Sequence, residues 1–251
     1  MHTAWQLGDP KGRDLQKGTP AMLRKMLPFF LLGLMAAIGI LGYAMLRSPE
    51  GASGPIQAVP LRLQGANPTS NSATSTLFTI DPSQSEARFV VDEVLRGEPR
   101  SVVGETDQVA GQIATNPTEP STAQLGPISI NARTIATDDN QRNGAIRRWI
   151  LSTDNFEFIT FTPTALVGAP ASVTLGQPYS FQIAGQLTIR DVTRDATFDA
   201  TVTPVSPSEL KGTAIGTIRY GDWNINIPDV PFVAGVGDQV RLELDFVATT
   251  A

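Results

Sequence analysis

The stretch RLELDFVA alternates without a break: Leu242, Leu244, Phe246 and Ala248 fall on one face, and Arg241, Glu243 and Asp245 on the other. The pattern returns along the chain. In DATFDATV, Ala196, Phe198, Ala200 and Val202 oppose Asp195, Thr197, Asp199 and Thr201. In QIAGQLTI, Ile183, Leu187 and Ile189 share a face with Gly185, and ISINARTI sets Ile128, Ile130 and Ala132 against Ser129, Asn131 and Arg133. A period of two with one polar face describes antiparallel strands with one side in water. Further strand candidates are LFTI, ARFVVDEV, QVAGQIAT, FITFTPTAL and LKGTAIGTI. About eight such strands predict a barrel or sandwich, and a barrel would remove the exposed edges. A closed eight-stranded barrel can fill its interior with side chains or hold one small apolar ligand. Small inward residues such as Ala132, Gly185, Ala196, Ala200 and Ala248 leave room for a guest unless larger partners across the barrel fill it.

Composition removes several chemistries. The 251-residue chain has no cysteine, and its one histidine is His2. Disulfides, thiolate metal sites, a Cys nucleophile and a His-based triad or metal site in the folded part are excluded. The net charge of −5 argues against a nucleic-acid partner, which requires a basic surface.

Before the strands, Met26 to Leu46 (MLPFFLLGLMAAIGILGYAML) is a run of 21 residues without a charge. As a helix it would cover roughly 30 Å, the thickness of a bilayer core. Lys11, Arg13, Lys17, Arg24 and Lys25 precede it, which orients the N-terminus to the cytoplasm. The run exceeds the apolar core of a signal peptide, and no A-x-A-like site follows closely, which favours a retained anchor over cleavage. The expected organisation is a cytoplasmic tail over 1–25, a transmembrane anchor over 26–46, a flexible linker over 47–75 and a β-barrel domain over 76–251. The protein is then a single-pass membrane protein with its C-terminal domain outside the cytoplasm. With cleavage, the same domain is periplasmic or secreted.

One segment breaks the strand pattern. In TDDNQRNGAIRRWILSTDNF, residues 137–156, Asp138 or Asp139 can cap a helix start, and Ile146, Trp149 and Ile150 form one narrow apolar stripe. Arg142, Arg147 and Arg148 are expected to point to solvent. A single helix with one stripe suits a cap over a barrel opening. Asp138, Asp139 and Asp154 are the only carboxylates here that suggest acid–base chemistry, and Asp ahead of a helix is more often a cap.

From Leu77 to Ala248 the residues resemble the YceI-like family of extracytoplasmic lipid-binding proteins. FTIDPSQSEARFVV resembles the family's opening strand, and VVGETDQVAGQI its V-x-G-x-x-x-x-x-x-G-x-I pattern. ILSTDNFEFITF is similar to L-x-T-x-x-Y-P-x-I-T-F, and IAGQLTIRDVTRDATF to G-x-L-T-I-x-G-V-T-x-x-x-x-F. RYGDWNINIPDVPFVAGVGDQVRLELDFVA resembles the last two strands. Asn143 replaces an Asp after Arg142, Phe156 a Tyr, Glu157 a Pro, and Asp191 and Asn224 stand for glycines.

The resemblance implies an all-β fold, an extended lipocalin-like antiparallel β-barrel with one helical insertion. It also implies a non-catalytic protein holding a polyisoprenoid, quinone or other amphiphile inside the barrel. No cofactor or metal is expected; the partners are the lipid and, through the N-terminal helix, the membrane, and a homodimer is left open. From alternation and resemblance, the candidate ligand-contacting residues are Phe89, Val91, Ile130, Trp149, Phe161, Leu187, Phe198 and Phe246. The alternatives are an interaction module with a filled barrel, and a hydrolase or isomerase using Asp138, Asp139 or Asp154.

Overall fold

The computed structural model describes residues 54–61, 75–116, 119–227 and 233–250. The expected tail 1–25 and span 26–46 lie outside the described residues, as does most of the expected linker 47–75. Among the described residues, no helix is long and apolar enough to cross a membrane.

The described residues form one antiparallel sheet that curls on itself. Its main run is a meander of β7 (Ile128–Asn131), β8 (Phe158–Val167), β9 (Tyr179–Ile189), β10 (Val192–Ser206), β11 (Glu209–Arg219) and β12 (Val233–Thr249). The free edge of β12 then takes β2 (Glu86–Leu95), which forms a hairpin with β3 (Glu98–Thr106). β3 continues through Asp107 and Gln108 into β4 (Val109–Ala110), and β4 pairs with β7, Val109 opposite Ile130. Taking β3 and β4 as one interrupted run, about eight strands make the curl, and its last strand meets its first. A small flap completes the sheet: β1 (Thr76–Ile80) on the end of β12, β5 (Gln112–Thr115) on β1, and β6 (Gln124–Leu125) on β5.

Alternation fixes the register. In β11, Leu210, Ala214 and Ile218 are buried while Lys211, Thr213, Ile215, Thr217 and Arg219 are exposed. A slip by one residue would bring those polar residues inside. The facing row of β12 sets Leu242 opposite Gly216 and Phe246 opposite Gly212.

Two strand expectations are revised, and one strand is added. QVAGQIAT is two strands, because the chain turns at Gly111, whose carbonyl accepts from Ile80 N at 3.0 Å and whose missing Cβ makes room for Ile128. ISINARTI leaves the sheet at Asn131: its side chain accepts from Arg133 N at 3.0 Å and opens a 3-10 turn over Ala132–Thr134. Strand β3 was absent from the sequence reading, because its inward positions are Val102, Gly104 and Thr106, a row too weakly apolar to show a period.

The helical segment is shorter than the 137–156 span suggests. Helix α1 runs over Asn140–Ala145, with Asp139 as its cap accepting from Arg142 N at 2.8 Å. It passes into one π-helical turn over Ile146–Ile150, closed by Leu151 N donating to Ile146 O at 2.8 Å. Ser152, with φ of 50°, ends the run.

Candidate functional site

The inner face of the curl encloses a cavity of about 840 Å³ with a mostly apolar wall. That volume is within the range of small-molecule sites. The cavity is long: the inward row of β2 from Ala87 to Leu95, all on its wall, covers roughly 27 Å at about 3.4 Å per residue.

Four aromatic rings explain how a wall with large inward side chains stays hollow. Phe89 lies against Gly104, Phe161 against Gly185, Phe246 against Gly212 and Phe198 against Gly216. A Cβ at Gly216 would stand 2.8 Å from the Phe198 ring, and one at Gly212 would stand 2.7 Å from that of Phe246. Each missing side chain lets a ring lie along the sheet instead of projecting into the lumen. Phe161 and Phe198 also meet edge-to-face, with centroids 4.8 Å apart. These four glycines are thus covered by aromatic rings, and space remains.

The two ends differ in chemistry. At one end, the β8–β9 connection supplies Pro170, Val173 and Leu175, the end of β10 supplies Pro204, and the β10–β11 connection supplies Pro207. At the other, the β2–β3 hairpin meets the helical segment through ion pairs. Arg142 reaches Glu93 at 3.3 Å and Asp138 at 2.6 Å, and Asp138 also pairs with Arg100. All four line the cavity. The Glu93 side chain is 7 % exposed and that of Arg142 22 %. Arg142 therefore does not point to solvent as expected, since a buried carboxylate faces it from β2.

Six of the eight candidate contact residues stand on the cavity wall: Phe89, Val91, Ile130, Phe161, Phe198 and Phe246. Leu187 is buried on the same row as Ile183 and Ile189 but does not reach the cavity, and its carbonyl accepts from Trp223 Nε1 at 3.0 Å. Trp149 is 68 % exposed and faces away. The π turn is the cause. Its i→i+5 bond widens the turn, so Ile146, Ile150 and Leu151 share the inner face and the intervening Trp149 is rotated outward. Glu93 escaped the sequence reading, although alternation from Ala87, Phe89 and Val91 places it next in the inward row.

The carboxylates weighed for catalysis do not converge. Asp139 caps α1, and the backbone N–H of Arg142 holds its carboxyl below the usual carboxylate range, the reverse of what a general acid needs. Asp138 is tied to two arginines, and Asp154 is exposed and off the cavity wall. Among the described residues no group of acids or histidines could hold a metal.

A family profile described as the YceI-like domain matches residues 78–248. The UPF0312 protein SAS2572 of Staphylococcus aureus is 27 % identical over 177 residues, 67 % of this chain and 94 % of that protein. Two solved structures share the fold. A polyisoprenoid binding domain from Saccharophagus degradans aligns with a TM-score of 0.55 at 14 % identity, over 71 % of this chain and all of that one. Burkholderia cenocepacia BcnA aligns at 0.54 and 19 % identity, over 68 % of this chain and 99 % of that one.

Proposed function

This chain belongs to the YceI-like domain family, and from that premise we propose that it is a non-catalytic, extracytoplasmic protein that holds a long-chain isoprenoid or similar amphiphile inside its curled sheet. The observation that carries this reading is the long cavity of about 840 Å³, apolar along its length and charged at one end. Each CH₂ taken from water into such a space contributes about 0.8 kcal/mol, so a prenyl chain needs length of apolar wall and few polar contacts. The Saccharophagus domain, described as polyisoprenoid binding, supports the same ligand class. Phe89, Val91, Ile130, Phe161, Phe198 and Phe246 are the residues that would touch the chain of the lipid. The uncharged run 26–46 would anchor the protein with its N-terminus in the cytoplasm, close to the bilayer that supplies the ligand. The interaction-module reading required a filled barrel, and the cavity leaves it without support.

The test is mass spectrometry on organic extracts of the full chain, captured from membranes with a styrene–maleic acid copolymer instead of detergent. A Leu244→Trp variant, which places an indole in the lumen, is processed in parallel. A prenyl or other amphiphile near one per protein in the wild type and depleted in the variant is the expected result. Identical extracts from two folded proteins would sink the proposal.

A further inference from the structure

The charged end of the cavity has a composition that discriminates between lipid head groups. Strand register puts Glu93 on the inward row of β2, and the residue is 8 % exposed. Its Oε1 accepts from an Arg142 guanidinium nitrogen at 3.3 Å. Among the described residues its other oxygen has no hydrogen-bond partner. An ionised carboxylate only accepts, so that oxygen calls for a donor. Two of the arginines at this end are already engaged, Arg142 with Glu93 and Asp138 and Arg100 with Asp138, while Arg96 stands exposed at the hairpin turn. The charged side chains lining this end are Glu93, Asp138 and Asp139 against Arg96, Arg100 and Arg142, and their charges cancel.

We propose that this end is a head-group subsite selecting an uncharged, hydrogen-bond-donating head, such as an alcohol or hydroquinone, over a phosphate or diphosphate. This rests on the cavity being a lipid site. A hydroxyl donates to the open oxygen of Glu93 and leaves every ion pair in place. A phosphate seated beside Glu93, away from the exposed Arg96, would have to draw Arg142 from Glu93 and Asp138, leaving a buried carboxylate unpaired beside a second anion. Subsites for phosphate carry an excess of cation, and this one carries none.

The experiment offers farnesol and farnesyl diphosphate at equal concentration to the full chain in micelles. Ligand retained after gel filtration is quantified, with Leu244→Trp as the background for micelle partitioning. The expected result is retention of farnesol over farnesyl diphosphate by tenfold or more. Glu93→Gln, which leaves the subsite with a net positive charge, should lower that ratio at least tenfold. Arg96→Gln, at the exposed hairpin turn where folding is not at stake, should raise it. Preferential retention of the diphosphate by the wild type, or a ratio that both substitutions leave unmoved, would overturn the head-group assignment while the lipid-binding reading stands. Retention of neither ligand above background would overturn the lipid-binding reading and the subsite with it.

Discussion

Asn143 clasps Thr137 at three points: Oδ1 accepts from Thr137 N at 2.7 Å and from Thr137 Oγ1 at 2.8 Å, and Nδ2 donates to Thr137 O at 3.3 Å. The clasp closes the lead-in loop against α1, immediately before Asp138, which pairs with Arg100 and Arg142 at the charged end of the cavity. A carboxylate at this position could not donate to the Thr137 carbonyl. Asn143 is 4 % exposed, so Asn143→Ala leaves buried polar groups unpaired and should cost about 1–3 kcal/mol in chemical denaturation. Asn143→Asp should cost at least as much at neutral pH, since it sets acceptor against acceptor. A loss of less than about 0.5 kcal/mol for both would show that the clasp contributes nothing, that being the usual range for surface changes.

The rings lying on glycines make a second prediction. In an ordinary strand, Gly→Ala at a compatible backbone stabilises by about 0.4–1 kcal/mol through the unfolded chain. At Gly216 the new methyl would meet the Phe198 ring at 2.8 Å and Thr197 O at 3.1 Å. Overpacking of this kind costs about 1–3 kcal/mol, so the sign reverses. A double-mutant cycle separates ring from backbone: on a Phe198→Leu background, Gly216→Ala should cost at least about 0.5 kcal/mol less. Purely additive losses would assign the glycine to the backbone instead. Because the ring can yield only toward the lumen, Gly216→Ala should also lower lipid retention.

On the outer face, Glu243 of β12 accepts from Arg241 at 2.6 Å and from Arg88 of β2 at 3.2 Å. The bond from Arg241, and after it that from Arg88, hold its carboxyl below the ordinary 4.5. The folded state then binds fewer protons than the unfolded chain between the two values, so the contribution is complete above about pH 4.5 and is lost as pH falls through the folded value. Wild type should exceed Glu243→Gln by about 1 kcal/mol or less at neutral pH, since Arg241 is half exposed and such pairs are weak. The gap should narrow below pH 4.5. A gap constant from pH 7 to 3 would assign the difference to packing.

Legibility followed local chemistry. The strands with an apolar residue or glycine on every second position, β9 to β12, were readable because burial of one face leaves no other register. Strand β3 was unreadable because its partner Phe89 supplies the bulk that Gly104 lacks, so the apolar signal sits on a different strand. Six residues named from alternation and resemblance stand on the wall, whereas Glu93 is polar and draws no notice in the sequence, although its place in the inward row is fixed by Phe89 and Val91. The pairing of Glu93 with Arg142 joins residues 49 apart in sequence, and no local pattern announces it. Trp149 was misplaced for a different reason. Ordinary helical spacing puts it beside Ile146 and Ile150, and only the π turn, a product of packing, moves it off that face.

That misplacement gives the last prediction, a contrast between two tryptophans. Trp149 is 68 % exposed, with no hydrogen bond recorded among the described residues, while Trp223 is 3 % exposed and donates to Leu187 O at 3.0 Å. Trp149→Ala should change stability by no more than about 0.5 kcal/mol and leave lipid retention at the wild-type level. Trp223→Phe keeps an aromatic ring but strands a buried carbonyl at the back of the cavity wall, and should cost about 1–3 kcal/mol. Acrylamide quenching of intrinsic fluorescence, compared between wild type and Trp149→Phe, should lose an accessible component. If Trp149→Ala instead abolished lipid retention in a folded protein, the indole would have to turn inward when ligand binds, and the helical segment would be a moving cap, not one held to β2 by the Arg142–Glu93 ion pair.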